Sequence, residues 1–281
     1  MLRLDRPPPV AALPHGVTKR PALRLTAGAI QPVDPSVADE VPVALVYNGL
    51  SHVVMMASPR DLEALALGFS LSEGILGSAD ELLDLRLTRS AAGIEIDLRI
   101  TQRRFAGLKD RRRNLAGRTG CGLCGVESLA EALRAVPEIR SDLVVSRKAI
   151  DRAVAGLAPL QPLNRAAGSL HAAAWADPSG AILALAEDIG RHNALDKLIG
   201  SLAAATRPSG FLVLTSRCSY ELAAKAAMLN VPILVAISAP TGLALDLARQ
   251  AGLTVVALAR SDSVTVYTHP ARIAELAGPP S

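Results

Sequence analysis

The sequence predicts an α/β protein in two unequal parts, a smaller α+β domain followed by a mixed sheet layered with helices. Three observations carry that reading. In the C-terminal half, four short apolar runs (Ala181–Leu185, Phe211–Leu214, Ile233–Ile237 and Thr254–Ala259) alternate with helical patterns near His192–Ala205, Ser219–Leu229 and Leu243–Ala251. Continuous runs of that length suit a sheet buried on both faces, and strand alternating with helix implies substantial parallel pairing. Further upstream, Ile94, Ile96, Leu98 and Ile100 alternate strictly, the period of a strand. Finally, half of the 281 residues are hydrophobic but only 2% are aromatic, so the core is built from Leu, Val, Ile and Ala.

Taken in order, residues 1–40 contain Pro7-Pro8-Pro9, Pro14, Pro21, Pro32 and Pro35 and show no apolar periodicity, so a flexible Pro-rich leader is expected. No apolar h-region follows the early arginines, which argues against a secretory signal. No apolar stretch approaches the ~18–20 residues of a membrane span. A cytoplasmic, reducing compartment follows, and it suits free thiols. Residues 41–137 form the small domain. Val43, Leu45 and Tyr47 alternate, Asn48-Gly49 signals a hairpin, and Leu50–Met56 returns. Ser58 is read as the N-cap and Pro59 as the first turn of a helix whose apolar face is Leu62, Leu65, Ala66 and Phe69. Gly74 and Gly77 end it, and strands Leu82–Leu87 and Ile94–Ile100 follow. Pro137-Glu138 marks the boundary, and residues 138–281 hold the larger α/β domain.

The chemistry concentrates in Gly117-Arg118-Thr119-Gly120-Cys121-Gly122-Leu123-Cys124-Gly125. Two of the three cysteines form a Cys-x-x-Cys pair here. Ahead of it stand seven cations (Arg103, Arg104, Lys109, Arg111, Arg112, Arg113 and Arg118) against one acid, Asp110. Positive charge favours the thiolate, the reactive form of cysteine. The flanking glycines let the backbone approach another molecule closely. Apolar residues then recur at Val126, Leu129, Ala130 and Leu133, so the pair is expected on a basic loop at a helix N-terminus, whose dipole adds to the cationic field. Structural zinc would need a second Cys/His pair at short spacing, yet Cys218, His15, His52, His171, His192 and His269 are scattered. No structural metal is therefore expected, and three cysteines do not make a disulfide scaffold. Thiol chemistry remains, with electron transfer and sulfur transfer both open.

The net charge of +4 is local to the stretch before Cys121. Only Phe105 interleaves with those cations, whereas single-strand nucleic-acid binders stack bases on aromatics. The patch reads as a holder for one anionic ligand or partner, not for nucleic acid.

In open α/β sheets, ligands bind beyond the carboxyl ends of the strands. Polar residues gather at those ends: Glu187-Asp188-Ile189-Gly190-Arg191-His192-Asn193, Thr215-Ser216-Arg217-Cys218-Ser219, Ser238, and Arg260-Ser261-Asp262-Ser263. Asp188 and Ser219 are good N-caps. Arg191, His192 and Arg217 exceed what capping needs, and helix N-termini are ready phosphate sites.

These segments resemble a known family. CGLCG (Cys121–Gly125), EDIGRHNALDK (Glu187–Lys197), SRCSYELAAKAA (Ser216–Ala227), SAPTGLALDLA (Ser238–Ala248) and TVYTHPARI (Thr265–Ile273) look like the formate dehydrogenase accessory sulfurtransferases, the FdhD family. ASPRDLEALALGFSLSEGIL (Ala57–Leu76) is similar to that family's N-terminal signature. The resemblance implies a cytidine-deaminase-like fold, usually dimeric. It implies a sulfurtransferase that takes sulfane sulfur from a cysteine desulfurase as a persulfide. That sulfur passes to the bis-molybdopterin guanine dinucleotide form of the molybdenum cofactor, bound as a client and destined for formate dehydrogenase.

By the same resemblance, Cys121 bears the persulfide and Cys124 is its companion. The cofactor-binding segment falls on Leu258-Ala259-Arg260-Ser261-Asp262-Ser263; Leu258 replaces the usual Phe, and Asp262 and Ser263 stand at the glycine and cationic positions. Ala167-Gly168-Ser169-Leu170-His171-Ala172-Ala173 resembles another family stretch, with Ala167 where Thr is common, and makes His171 a pocket candidate beside Arg191 and His192. The deaminase likeness concerns fold alone. Zinc deaminases need His-x-Glu followed by Pro-Cys-x-x-Cys, and His171 is followed by Ala172-Ala173. A non-catalytic chaperone of the molybdenum cofactor and a thiol–disulfide oxidoreductase are the competing readings.

Overall fold

The structure, a computed structural model, describes residues 13–116, 135–203, 207–260 and 263–277, with the backbone alone over 111–116. Cys121 and Cys124, together with Arg118, Ser261 and Asp262, lie outside the described residues.

The fold is α/β with mixed sheets, as expected. Its first strands, β1 (Val17–Lys19), β2 (Ala22–Thr26), β3 (Ala29–Val33) and β4 (Ser36–Ala38), fall in the stretch read as a flexible leader. The structure differs there: β1 pairs with β4 and β2 with β3, both antiparallel. For β1 and β4 the reason lies far away in the chain. Val17 and Ala38 pack against Leu163, Leu170 and Ile189, a cover that local composition cannot reveal.

A four-stranded sheet follows, built from β5 (Val41–Tyr47), β6 (Leu50–Ala57), β7 (Leu82–Ser90) and β8 (Gly93–Ile100) in the order β6-β5-β8-β7. The β5–β6 turn has positive φ at both Asn48 (47°) and Gly49 (81°), as the tight hairpin turn demands. Helix α1 (Leu62–Ser72) covers the sheet through Leu62, Leu65 and Ala66. It starts later than expected, after Asp61 in a left-handed conformation, so Ser58 is not its cap.

The basic stretch expected as a loop is instead helix α2 (Gln102–Ala116). Arg, Lys, Gln, Leu and Ala are good helix formers, and Phe105 and Leu108 pack into the core of this sheet. Two of its cations are already engaged, since Arg103 and Arg104 contact Glu81 at 2.8 and 2.7 Å. The Gly77 N–H, with those two arginines, holds the Glu81 carboxyl down to about 2.

The second sheet has the order β10-β9-β11-β12-β13-β14, from β9 (His171–Ala176), β10 (Ile182–Asp188), β11 (Phe211–Leu214), β12 (Ile233–Ala236), β13 (Thr254–Ala257) and β14 (Thr265–Val266). β11, β12 and β13 run parallel, and the outer pairings are antiparallel. Helix α3 (Arg147–Leu157) packs on one face, where Phe211, Val213, Ile233 and Val235 point. A short helix, α4 (Pro162–Ala167), precedes β9. Helices α5 (Arg191–Ala203), α6 (Tyr220–Met228) and α7 (Gly242–Ala251) share the other face with Leu212, Leu214 and Leu234. Every strand of the parallel core is therefore buried on both sides, which is why it reads as a continuous apolar run.

The two sheets meet where α1 crosses α5. A Cβ on Gly68 would overlap the Asp196 backbone, and one on Gly200 would overlap that of Ala64. At the same seam Lys197 Nζ lies 2.6 Å from Asp188 Oδ2, both side chains fully buried, and donates to the Ser58 carbonyl at 3.0 Å. At the same crossing, Lys225 Nζ donates to both oxygens of Asp196 (2.9 and 3.0 Å) and to Ser72 Oγ (2.8 Å), and pairs with Glu73 at 2.8 Å.

Removing one partner of a buried pair strands the other charge. Lys197→Met is expected to cost about 3–5 kcal/mol in denaturant unfolding. Adding Asp188→Asn should recover much of that loss; a double variant no more stable than the single one would show that the pair does not hold the seam.

Candidate functional site

The carboxyl edge of the six-stranded sheet is stitched into one line by backbone hydrogen bonds. Asp188 at the end of β10 is in register with His171 at the start of β9. The Thr215 N–H donates to the Ala172 carbonyl at 3.0 Å, the Ile237 N–H to Leu214 at 3.0 Å, and the Leu258 N–H to Ser238 at 3.3 Å. The polar clusters singled out in the sequence thus share this edge. His171, Arg191 and His192 sit at one end, Arg217 and Ser238 follow β11 and β12, and Leu258, Ala259, Arg260 and Ser263 follow β13. From β9 to β13 is three strand spacings, about 14 Å.

Much of the Glu187–Lys197 motif is structural. The Glu187 carboxylate accepts from the Leu163 and Asn164 N–H groups (3.0 and 2.7 Å), which satisfies the start of α4. Asp188 accepts from Ser58 N–H (3.0 Å), Gly190 N–H (2.8 Å) and Asn193 Nδ2 (3.1 Å) in addition to Lys197. Asn193 also donates to the Met56 carbonyl, and Asp196 holds Lys225. Asp188 is therefore more than the helix cap expected of it. Two residues of the motif keep side chains for other work, Arg191 and His192. Arg191 Nε is buried yet has no hydrogen-bond partner among the described residues. His192 Nε2 stands 3.7 Å from Glu221 Oε2, too far for a hydrogen bond.

Arg191 also couples the two histidines. Burial, then the nearby Arg191 guanidinium, pushes His171 below the ordinary imidazole value. The same two causes, in the same order, lower His192; Glu221 opposes them and Lys225 adds to them. Both rings are accordingly neutral at pH 7, with the positive charge on Arg191. A neutral imidazole offers one donor and one acceptor, so the cluster can hold an anion on Arg191 and orient polar atoms around it.

At the other end, Leu258 has φ 52°, a left-handed conformation uncommon for a branched side chain. It turns the chain so that the Ala259 N–H reaches the Ala236 carbonyl (3.2 Å) and the Arg260 N–H reaches Ser263 (2.9 Å). Ala259 is buried and Arg260 exposed. The edge therefore offers cations at Arg191, Arg217 and Arg260.

Cys218 is fully buried, and burial pushes its thiol up to about 12. Its backbone ties two strand-end loops together, donating to Ala239 at 3.3 Å and accepting from Thr241 at 3.0 Å. It is part of the scaffold. Among the described residues, no group of three or more His, Cys, Asp or Glu is placed to hold a metal ion, and no helix is long and apolar enough to cross a membrane. Sequence reasoning missed Ser58, Asp196 and Lys225 as the framework behind Arg191. Their signal was faint, since each reads locally as a cap or an ordinary helix-face residue.

Because both histidines resist protonation in the fold, the unfolded chain binds more protons once pH drops below the ordinary value of 6.5. Stability rises with pH wherever the unfolded state binds more protons, so it should fall as pH is lowered through that value. The Tm of the native chain is expected to drop between pH 7.5 and 5.5 more than that of the His171→Gln/His192→Gln variant. Identical slopes would mean that the histidines are free to charge.

The family model described as the FdhD/NarQ family matches residues 38–274. The Xanthomonas euvesicatoria pv. vesicatoria (strain 85-10) "Sulfur carrier protein FdhD" is 48% identical over 260 residues, covering 92% of each chain. The protein of the same name from Variovorax paradoxus (strain S110) is 48% identical over 239 residues, covering 84% of this chain and 86% of its own. A crystal structure from Desulfotalea psychrophila, assigned provisionally as a formate dehydrogenase accessory protein, superposes with a TM-score of 0.70 at 24% identity, over 92% of this chain and 99% of that one. This last likeness concerns the fold.

Proposed function

Because the chain belongs to the FdhD/NarQ family, we propose that it is a sulfur carrier serving formate dehydrogenase and that Cys121 bears the sulfur as a persulfide. One observation supports this most directly. Cys121 and Cys124 fall inside the matched span, while the remaining cysteine, Cys218, is sealed in the core with its thiol pushed up to about 12.

The loading step exchanges one S–S bond for another. The Cys121 thiolate attacks the sulfane sulfur of a persulfide on a cysteine desulfurase. The Cys121–S–S bond forms, the donor's S–S bond breaks, and the donor cysteine leaves as its thiolate. Release as sulfide needs two electrons. Cys124 supplies them when its thiolate attacks Cys121 Sγ, forming a Cys121–Cys124 disulfide and expelling hydrosulfide toward molybdenum. A thiol reductant then reopens the disulfide for the next cycle. The cations that precede Cys121 in the sequence favour both thiolates.

The substrate that receives the sulfur is the bis-molybdopterin guanine dinucleotide cofactor, a client and not a resident group. The carboxyl edge of the sheet suits it chemically: Arg191 and Arg260 for phosphates, His171 and His192 as neutral hydrogen-bonding groups. The ~14 Å between the ends calls for a ligand of dinucleotide size. The Leu258–Ser263 segment would hold part of it, although the structure does not describe Ser261 and Asp262. The reading extends to a cytoplasmic homodimer.

Incubation with a desulfurase and sulfur-labelled cysteine should label the native chain and leave Cys121→Ser unlabelled. Cys124→Ser should take up label and retain it, and Cys218→Ser should keep activity if its small buried side chain is tolerated. Full formate dehydrogenase activation by both Cys121→Ser and Cys124→Ser would reject sulfur transfer and favour a cofactor chaperone. A Cys121–Cys124 disulfide that turns over without sulfur donor would favour an oxidoreductase.

Guanosine diphosphate, a fragment of the client, should bind in preference to adenosine diphosphate and more weakly as salt is raised. Loss of a charged hydrogen-bonding group should make Arg191→Gln weaker by about tenfold or more. Calorimetry showing equal binding of both nucleotides would reduce the edge to a generic anion site.

A further inference from the structure

At the opposite, amino edge of the six-stranded sheet lies a cavity of about 340 Å³. Its walls come from the last turns of α1, α5 and α6 and from the sheet, with Leu71, Leu198, Leu202, Leu212 and Leu229 among them. That volume falls in the range of small-molecule sites, and so does the lining, apolar with few polar groups. One wall residue is charged. Arg207 lies at the rim with its guanidinium 5.0 Å from the centre of the Trp175 ring, and Nη2 donates to the Leu229 carbonyl at 2.7 Å.

Arg207 is half-buried and has no carboxylate partner among the described residues. Its neighbours in sequence, Ala204, Ala205 and Thr206, bring no acid either. Burial works against its charge, and among the described residues that opposition is met by carbonyl oxygens and the indole face alone. A guanidinium presents five N–H donors in a fork that matches a carboxylate, and only part of that fork is used in this cleft. The other polar group on the wall is already satisfied, since Trp175 Nε1 donates to the Pro208 carbonyl at 3.1 Å. The cleft thus has one polar anchor and otherwise aliphatic walls.

We propose that this cleft binds a medium-chain monocarboxylate, with its alkyl chain among Leu71, Leu198, Leu202 and Leu229 and its carboxylate on Arg207. The charge complementarity is specific to a ligand with one anionic end. A dianion or a sugar phosphate would leave polar atoms against leucine without partners. The cleft is separate from the carboxyl edge, because α5 and α6 both start at that edge and end at this one.

The chain contains a single tryptophan, Trp175, and it forms part of the wall, so intrinsic fluorescence reads the cleft directly. Titration of the full chain with octanoate is expected to give a saturable change, and hexanoate should bind about tenfold more weakly for its two missing methylenes. Octanol should bind more weakly than octanoate. Arg207→Gln should abolish that preference while leaving octanol binding unchanged, which also shows that the cleft is still folded. Leu202→Phe, which fills the space, should weaken both ligands. No saturable change with octanoate would overturn the site. Equal binding of octanoate and octanol, or an Arg207→Gln variant that keeps the preference, would overturn the carboxylate assignment.

Discussion

The arrangement depends on two charged side chains buried where α1 meets α5 and α6. Lys197 and Lys225 each neutralise an aspartate of the larger half, Asp188 and Asp196, and each reaches across to polar groups supplied by the smaller half. A buried ion pair repays its desolvation only when its remaining hydrogen-bonding capacity is satisfied. Ser58 provides an acceptor for Lys197 through its carbonyl and a donor for Asp188 through its N–H, while Ser72 does similar work beside Asp196. Each half therefore completes the other's polar core. The glycine contacts at Gly68 and Gly200 bring the two helices close enough for these short bonds.

This seam also sets the electrostatics of the carboxyl edge. Asp188 precedes Arg191 by less than a turn of helix and is held by four partners, so the start of α5 has little freedom. The acids of the Glu187–Lys197 motif are turned inward and engaged, which leaves Arg191 facing two neutral histidines with Glu221 as the acid near His192. A positive, preorganised edge follows from where the negative charges are buried. The helix α2 cations work differently. Arg103 and Arg104 are compensated by Glu81, so the basic character of that region is carried by fewer residues than the sequence displays.

The parallel core was legible from sequence because its strands are buried on both faces, and Phe211–Leu214 was bounded correctly for that reason. The Asn48-Gly49 hairpin was legible because its turn needs two positive φ values. What failed was whatever depended on distant cover. The β1–β4 ribbon reads as a leader until Leu163 and Leu170 are placed beside Val17. Ser58 reads as a cap until Asp188 and Lys197, 130 and 139 residues away, are placed around it. The basic stretch reads as a loop until Phe105 and Leu108 are seen to reach the first sheet. Strand β9 was hidden because Ala172-Ala173-Ala174 has low strand propensity and becomes a strand through its neighbours on both sides. Of the candidate site, the gathering of strand ends was legible; the engagement of most motif residues in the seam was not.

The α1 crossing has a consequence for how the chain is made. Ser72 is specified 124 residues ahead of Asp196 and 153 ahead of Lys225. At ribosomal speeds of 5–20 residues per second that interval lasts about 6–30 s. Throughout it, the first sheet and α1 have emerged with their crossing face uncovered: a close-packing glycine, apolar side chains and hydroxyls awaiting partners. Native closure of the two halves must wait for the α5 and α6 sequences, so the crossing face of α1 is open to off-pathway association until they are made.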